Sequence, residues 1–206
     1  VDRSRGLGDV YKRQIVFRWE FSSNGGVGWS SVVDGGGYSG SSTNTLSVDD
    51  DFAKNTYQYR CKMETNTSVQ PSYTNAATLT VFRVITISNQ PTDQNPMAPA
   101  TATFTVAAST LDTATIAYQW EKSEDGDGIN FTSIGGATGA SYVTGATTYD
   151  ADYGDYYRCV LSAQGASNVI STAARNLVQR TINITSQPTN TTGAVVGKRS
   201  VSYTHL

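Results

Sequence analysis

The chain is poor in the side chains that most enzymes rely on. It has one histidine, His205, and two cysteines, Cys61 and Cys159, in 206 residues. One imidazole at the extreme C-terminus leaves no Ser-His-Asp or Cys-His nucleophile scheme for the body of the chain, and it removes the commonest metal ligand. Charged residues make up only 16% of the chain, and no apolar run reaches the ~18 residues of a membrane-spanning helix. With so few cysteines, their count does not reveal the redox compartment. Ser, Thr, Asn and Gly fill much of what remains.

The two ends are unlike the body. SRGLGDVYKRQ, residues 4–14, would by itself read as a basic contact arm. However, DVYKRQ can be encoded GAT GTG TAT AAG AGA CAG, and the terminal VSYTHL can be encoded GTC TCT TAT ACA CAT CTN. These strings are reverse complements over most of their length. The pair resembles the two strands of a transposase end sequence used in shotgun sequencing libraries, and SRGLG translates the adapter just upstream. Residues 1–14 and 201–206 are therefore read as adapter-derived artefacts flanking a metagenomic fragment, and they are set aside from fold reasoning. Setting aside 1–14 removes four cations and two acids, which leaves 11 Lys and Arg against 15 Asp and Glu. Nothing in that acidic balance recommends a nucleic-acid partner, which would usually need a clustered basic face.

What the body does contain is internal similarity. FRWEFSSNGGVGWSSV from Phe17 resembles YQWEKSEDGDGINFTSI from Tyr118, and TYQYRCKME from Thr56 resembles DYYRCVLSA from Asp155. ITISNQPTD from Ile85 resembles INITSQPTN from Ile182. The offsets are 101 residues for the tryptophans, 98 for the cysteines and 97 for the prolines. A repeat of that length suits one β-sandwich module. TATFTVAA alternates Ala102, Phe104 and Val106 against threonines, and ATIAYQW puts Ile116, Tyr118 and Trp120 on one face; such period-2 patterning predicts half-buried strands. Short strands broken by Gly, Asn, Asp and Ser clusters give an all-β fold.

The order Trp120, Asp152, Gly154, Tyr157 and Cys159 resembles an immunoglobulin-like domain, with its strand-C tryptophan and a tyrosine corner two residues before the strand-F cysteine. The Asp-to-Cys spacing is one residue longer than usual, which leaves Tyr156 as an alternative corner residue. The wording from YQWEKSEDGDGINFTSI through YRCVLS is most similar to tandem immunoglobulin-like modules of bacterial surface proteins and of tailed-phage structural proteins. The resemblance implies tandem immunoglobulin-like β-sandwiches with a structural core of Trp19, Tyr59, Cys61, Trp120, Tyr157 and Cys159. Phe104 and Val106 stand where an antibody-type domain has its second cysteine, so Cys61 and Cys159 are expected as buried, unbridged hydrophobes. It further implies a truncated domain over 15–81 that begins at strand C, a complete domain over 83–179, and the first strand of a third over 180–200.

Candidate sites are few. SEDGDGIN offers Asp125, Asp127 and Asn130 as calcium ligands, but the spacing is incomplete and lacks the bidentate Glu, while a tight hairpin explains the Asp-Gly pairs without metal. Asp49–Asp51 and Asp150–Asp155 read as solvated turn formers. Glu124 with Asp125, or Asp152 with Asp155, lie on loops with no cleft between them, which is unlike a glycosidase pair. DGGGYSGSSTN from Asp34 has the composition of an adaptable binding loop, which with Trp29 and Tyr38 forms a candidate ligand loop; its plainer reading is a flexible connector. FRVITISNQPTD from Phe82 is a linker with almost no spare residues. The sequons at Asn66, Asn130, Asn183 and Asn190 are expected by chance in this composition.

The family resemblance implies a non-enzymatic structural or adhesive spacer of a phage virion or tail-associated protein, extracellular or in the virion, with weak contacts to host-surface glycans. Alternatives are a bacterial surface adhesin or stalk, or an accessory module of a secreted polysaccharide-degrading enzyme. The expected partners are neighbouring modules of the same chain and a cell-surface glycan or protein, with no cofactor, no nucleic acid and no membrane insertion.

Overall fold

The computed structural model describes residues 15–65, 70–124, 126, 128–187 and 197. The adapter-like ends, the calcium candidates Asp125 and Asp127, and the sequons at Asn66 and Asn190 lie outside these residues.

The described chain is almost entirely β. In order it forms β1 (Ile15–Ser22), β2 (Ser30–Ser31), β3 (Tyr38–Ser39), β4 (Ser47–Val48), a 3-10 turn (Phe52–Lys54), β5 (Gln58–Thr65), β6 (Ser72–Tyr73), β7 (Ala77–Thr78) and β8 (Ile85–Asn89). It continues with β9 (Thr103–Thr105), β10 (Ala107–Thr110), β11 (Ala117–Ser123), β12 (Thr132–Ser133), β13 (Ser141–Val143), one helical turn α1 (Tyr149–Asp152), β14 (Tyr156–Ser162), β15 (Val169–Ile170) and β16 (Ala174–Arg175). Contacts divide the chain into two compact units. Among the described residues, the first holds those from Ile15 to Asn89 with Ala107–Tyr118 and Val160–Ser171; the second holds Gln90–Val106, those of Gln119–Cys159 and those from Thr172 onward.

In the first unit, a five-stranded antiparallel sheet runs β2-β1-β5-β6, with β7 also on β5. Its register sets Trp19 opposite Cys61, Glu20 opposite Arg60 and Phe21 opposite Tyr59. Because side chains alternate across a strand, Trp19, Phe21, Tyr59 and Cys61 share one face, and Glu20 and Arg60 share the other. The first of these faces is the apolar one: Phe21 stacks on Tyr57 with centroids 5.7 Å apart, and Tyr59 and Cys61 are buried.

The second unit holds the better-sealed core. β9 pairs with β13, setting Phe104 opposite Tyr142. Phe104 stacks on Tyr157 at 4.5 Å and tilts against Trp120 at 6.4 Å, while Tyr142 packs on both Trp120 and Tyr157. Two antiparallel layers thus meet face to face around Trp120, the arrangement of a β-sandwich. The alternation read from TATFTV is realised, since Ala102, Phe104 and Val106 are buried and Thr103 and Thr105 exposed. Trp120, Phe104 and Cys159 have no accessible surface. The Trp120 indole N–H donates to the Gly139 carbonyl at 2.9 Å, so the ring's single polar atom enters the core already satisfied.

Trp19 differs from Trp120. Both were expected in the core, and Trp19 is only half-buried. Among the described residues no strand lies over it as β9 lies over Trp120. Its indole N–H donates to the Thr43 carbonyl at 3.0 Å, in an exposed setting.

Candidate functional site

The outer face of the β2-β1-β5-β6 sheet carries an organised group of half-buried polar and aromatic side chains with one exposed ring, Tyr73. It follows from two short sequence facts: Glu20 succeeds Trp19, and Arg60 precedes Cys61. Since the tryptophan and cysteine face inward and are paired in register, the glutamate and arginine must meet on the outside. Arg60 donates through Nε at 2.8 Å and approaches through Nη2 at 2.7 Å, both to Oε2 of Glu20. Its guanidinium lies 4.1 Å from the Trp29 ring and 4.3 Å from the Tyr73 ring, so that it is held between two aromatics. Cation–π contacts and charge-assisted hydrogen bonds reinforce one another here because both favour a planar, fixed guanidinium.

Each wall of this sandwich has its own support. Trp29 leaves a tight loop in which Gly25 and Gly26 take φ of 69° and 88°. Ser22 Oγ accepts from the Gly26 N–H at 2.9 Å, Asn24 Oδ1 accepts from the Gly28 N–H at 2.8 Å, and the Trp29 indole donates to the Gly26 carbonyl at 3.1 Å. Tyr73, on β6, lies opposite Lys62. Lys62 pairs with Glu64 at 2.7 Å, and Arg18 reaches the same carboxylate at 3.6 Å. The Lys62 hydrogen bond pulls the Glu64 carboxyl below its ordinary range, and the same bond holds the Lys62 ammonium up.

The sheet containing β11 and β14 repeats the motif. Glu121 follows Trp120, Arg158 precedes Cys159, and Arg158 Nε donates to Glu121 Oε2 at 2.7 Å while its guanidinium lies 3.9 Å from the Phe131 ring. This Trp-Glu and Arg-Cys coincidence is carried by the sequence itself. Its signal is the identical pair of neighbours around both tryptophans and both cysteines.

The candidate ligand loop is corrected by the structure. Trp29 and Tyr38 do not form one patch. Tyr38 packs its ring against Phe21 and Tyr59 at 6.2 Å each and shares a hydrogen bond with the Tyr59 hydroxyl at 3.3 Å. It therefore sits on the face opposite the Arg60 sandwich. Nor is the segment from Asp34 an open connector: Asp34 Oδ1 accepts from the Ser41 N–H at 2.8 Å, and Gly35 and Tyr38 exchange backbone hydrogen bonds. That hydrogen bond from Ser41 lowers the Asp34 carboxyl.

The acidic corners are occupied by side-chain cations. Lys54, itself buried, pairs with Asp49 and lies 3.9 Å from Asp51, which also caps the 3-10 turn through the Ala53 N–H. Asp155, only 2% exposed, meets Lys122 at 2.9 Å, and Asp150 pairs with Arg180. Burial pushes the Asp155 carboxyl up, an effect that Lys122 only partly offsets. Asn130 is exposed, and among the described residues no group of three His, Cys, Asp or Glu could hold a metal. Cys61 and Cys159 are buried and unbridged. Tyr157 faces the core, while Tyr156 lies under the Arg175 guanidinium at 5.3 Å.

An all-β sandwich with an inward tryptophan on β11 and an inward cysteine on the neighbouring β14 defines an immunoglobulin-like fold. Residues 86–183 match a family described as a domain of unknown function, DUF8696. No curated protein matches the chain. Similar solved structures include Dscam1 isoform 6.9, N-terminal four Ig domains, at 20% identity over 81% of this chain and 38% of that one, with a TM-score of 0.42. Another is Drosophila OTK, extracellular domains 3-5, at 18% identity over 82% of this chain and 54% of that one, with a TM-score of 0.34. The chain spans less than two thirds of either, and these likenesses add nothing to what the strand order and core already show.

Proposed function

We propose that the chain is a non-enzymatic structural and adhesive spacer, and that its contact surface is the outer face around Trp29, Arg60 and Tyr73. The observation that carries this reading is the Arg60 sandwich itself. Tyr73 is 45% exposed and Trp29 half-buried, so the group spends well-ordered aromatic and cationic surface on solvent rather than on the core. Aromatic rings and Arg on a rigid scaffold are the side chains that supply most interface energy, at little entropy cost. In contrast, Asp49, Asp51, Asp150 and Asp155 of the acidic corners are paired with lysine or arginine, which does not favour their use as the facing carboxylates that hydrolysis would require.

The domain reading accompanying this proposal is a module over 83–179, a partial module over 15–81 and a leading strand over 180–200. The setting we favour, from the sequence resemblance, is an extracellular phage virion or tail-associated protein that touches host-surface glycans or proteins; a bacterial adhesin stalk is the second setting. Weak single contacts gain from repetition along such a chain. The test is to display the full chain multivalently and probe a glycan array and bacterial cells beside the Trp29→Ala/Tyr73→Ala variant. Binding that the double variant abolishes supports an adhesive face. Binding that it leaves intact moves the contact elsewhere, and no binding at all leaves the spacer role alone.

A further inference from the structure

FRVITISNQPTD from Phe82 reads in the sequence as a linker with almost no spare residues, and Arg83 within it is held by contacts from four directions, all within the first compact unit. Its backbone N–H donates to the Gly165 carbonyl at 2.9 Å, and it forms a parallel bridge with Ala166. Its Nε donates to Asp112 Oδ2 at 2.6 Å, its Nη1 donates to the Gln164 carbonyl at 2.6 Å, and its guanidinium lies 3.5 Å from the Phe52 ring. The side chain is only 17% exposed. Phe52 in turn closes on Gly165, where an added Cβ would fall 2.2 Å from the ring and the backbone φ is +78°. Only glycine fits that position on both counts.

The partner turn is strained to make this possible. Thr113, a β-branched residue, takes φ of 55°, a region such residues avoid. The turn is closed by the Thr113 N–H on the Thr110 carbonyl at 3.3 Å and by the Ala114 N–H on Thr110 Oγ1 at 2.8 Å, which presents Asp112 to Arg83. Backbone strain of this kind persists only where surrounding contacts over-determine it. The hydrogen bond from Arg83 holds the Asp112 carboxyl below its ordinary value.

We infer that Arg83 is a clasp that makes the 82–84 segment a rigid elbow, binding the Asp112 turn and the Gln164–Ala166 hairpin to Phe52 as one cooperative unit. This goes beyond the proposed adhesive role and does not depend on it. A swinging linker needs few tertiary contacts; this one has a planar cation read by a carboxylate, a carbonyl and a ring at once, a combination lysine cannot reproduce.

The experiment is amide hydrogen exchange on the full chain, comparing the parent with Arg83→Ala, Arg83→Lys and Phe52→Ala. The expected result is at least a tenfold rise in exchange at residues 82–84 and 163–166 in Arg83→Ala and Phe52→Ala. Arg83→Lys should fall between these and the parent, and the Trp120 and Cys159 strands should keep the protection of the parent. Unchanged exchange at the elbow in both alanine variants overturns the clasp, and so does a rise spread evenly over β11 and β14, which would mean general destabilisation instead.

Discussion

Lys122 places its ammonium 2.9 Å from the buried Asp155 carboxylate, on the same inward face as Trp120. In the other sheet, the residues two after the tryptophan and four before the cysteine are Phe21 and Tyr57, which stack at 5.7 Å with ring planes 9° apart. One sheet thus fills with two aromatics the position that the other fills with an ion pair. Burying both charges costs desolvation that their attraction only offsets when the geometry is good, so exchange for well-packed apolar groups is often neutral or stabilising. We expect Lys122→Phe with Asp155→Tyr to be at least as stable as the parent in urea unfolding. Either change alone should cost about 3 kcal/mol, because each leaves an uncompensated charge. A double variant weaker than both singles would show that the two positions are not interchangeable.

The arginines beside the cysteines give a second expectation. Arg158→Ala should cost about 1.5–3 kcal/mol, the range for a hydrogen bond to a charged group, because Glu121 is left half-buried without its partner. Arg158→Lys should recover only part of this, since lysine lacks the planar guanidinium that bonds Glu121 through Nε and lies 3.9 Å from the Phe131 ring. Thermal unfolding of the three proteins side by side checks the order.

The two tryptophans should respond differently. Trp120→Ala removes a ring with no accessible surface and opens a cavity against Phe104 and Tyr142, which should cost about 3–5 kcal/mol. Trp19 is half-buried, so Trp19→Ala should cost clearly less, and equal losses in denaturant titration would contradict the difference in their surroundings.

Cys159 offers a pH test. Burial pushes its thiol up to about 11. A raised thiol pKa means that the folded state holds the proton more tightly than the unfolded chain does. Its contribution to stability is therefore complete below the unfolded value, near 9 on the same scale, and is lost as pH rises toward 11. The slope expected from this group is about 1.4 kcal/mol per pH unit across that window. In native protein at pH 8, Cys159 should not react with an aromatic disulfide reagent, and it should react once the chain is unfolded. Rapid labelling of the folded protein would mean that the site opens.

Much of the architecture was legible in the residues themselves. The alternation of Ala102, Phe104 and Val106 with threonines determined which face of that strand is buried, because period 2 is a property of the extended backbone alone. The Trp-to-Cys order, found twice, pointed to the fold class through its resemblance to immunoglobulin-like domains, in which those two strands lie side by side. Even the Glu20–Arg60 and Glu121–Arg158 pairs were implied once those registers were known. The sequence could not separate Trp29 from Tyr38, because which side of a sheet a loop residue reaches depends on the path of the chain through three dimensions. How far each tryptophan is buried was set by packing: β9 lies over Trp120, and among the described residues no strand lies over Trp19 in the same way. Arg83, Asp112, Gln164 and Phe52 are scattered over more than a hundred positions, and only the folded chain, by bringing their backbones together, made one arginine the meeting point of all three.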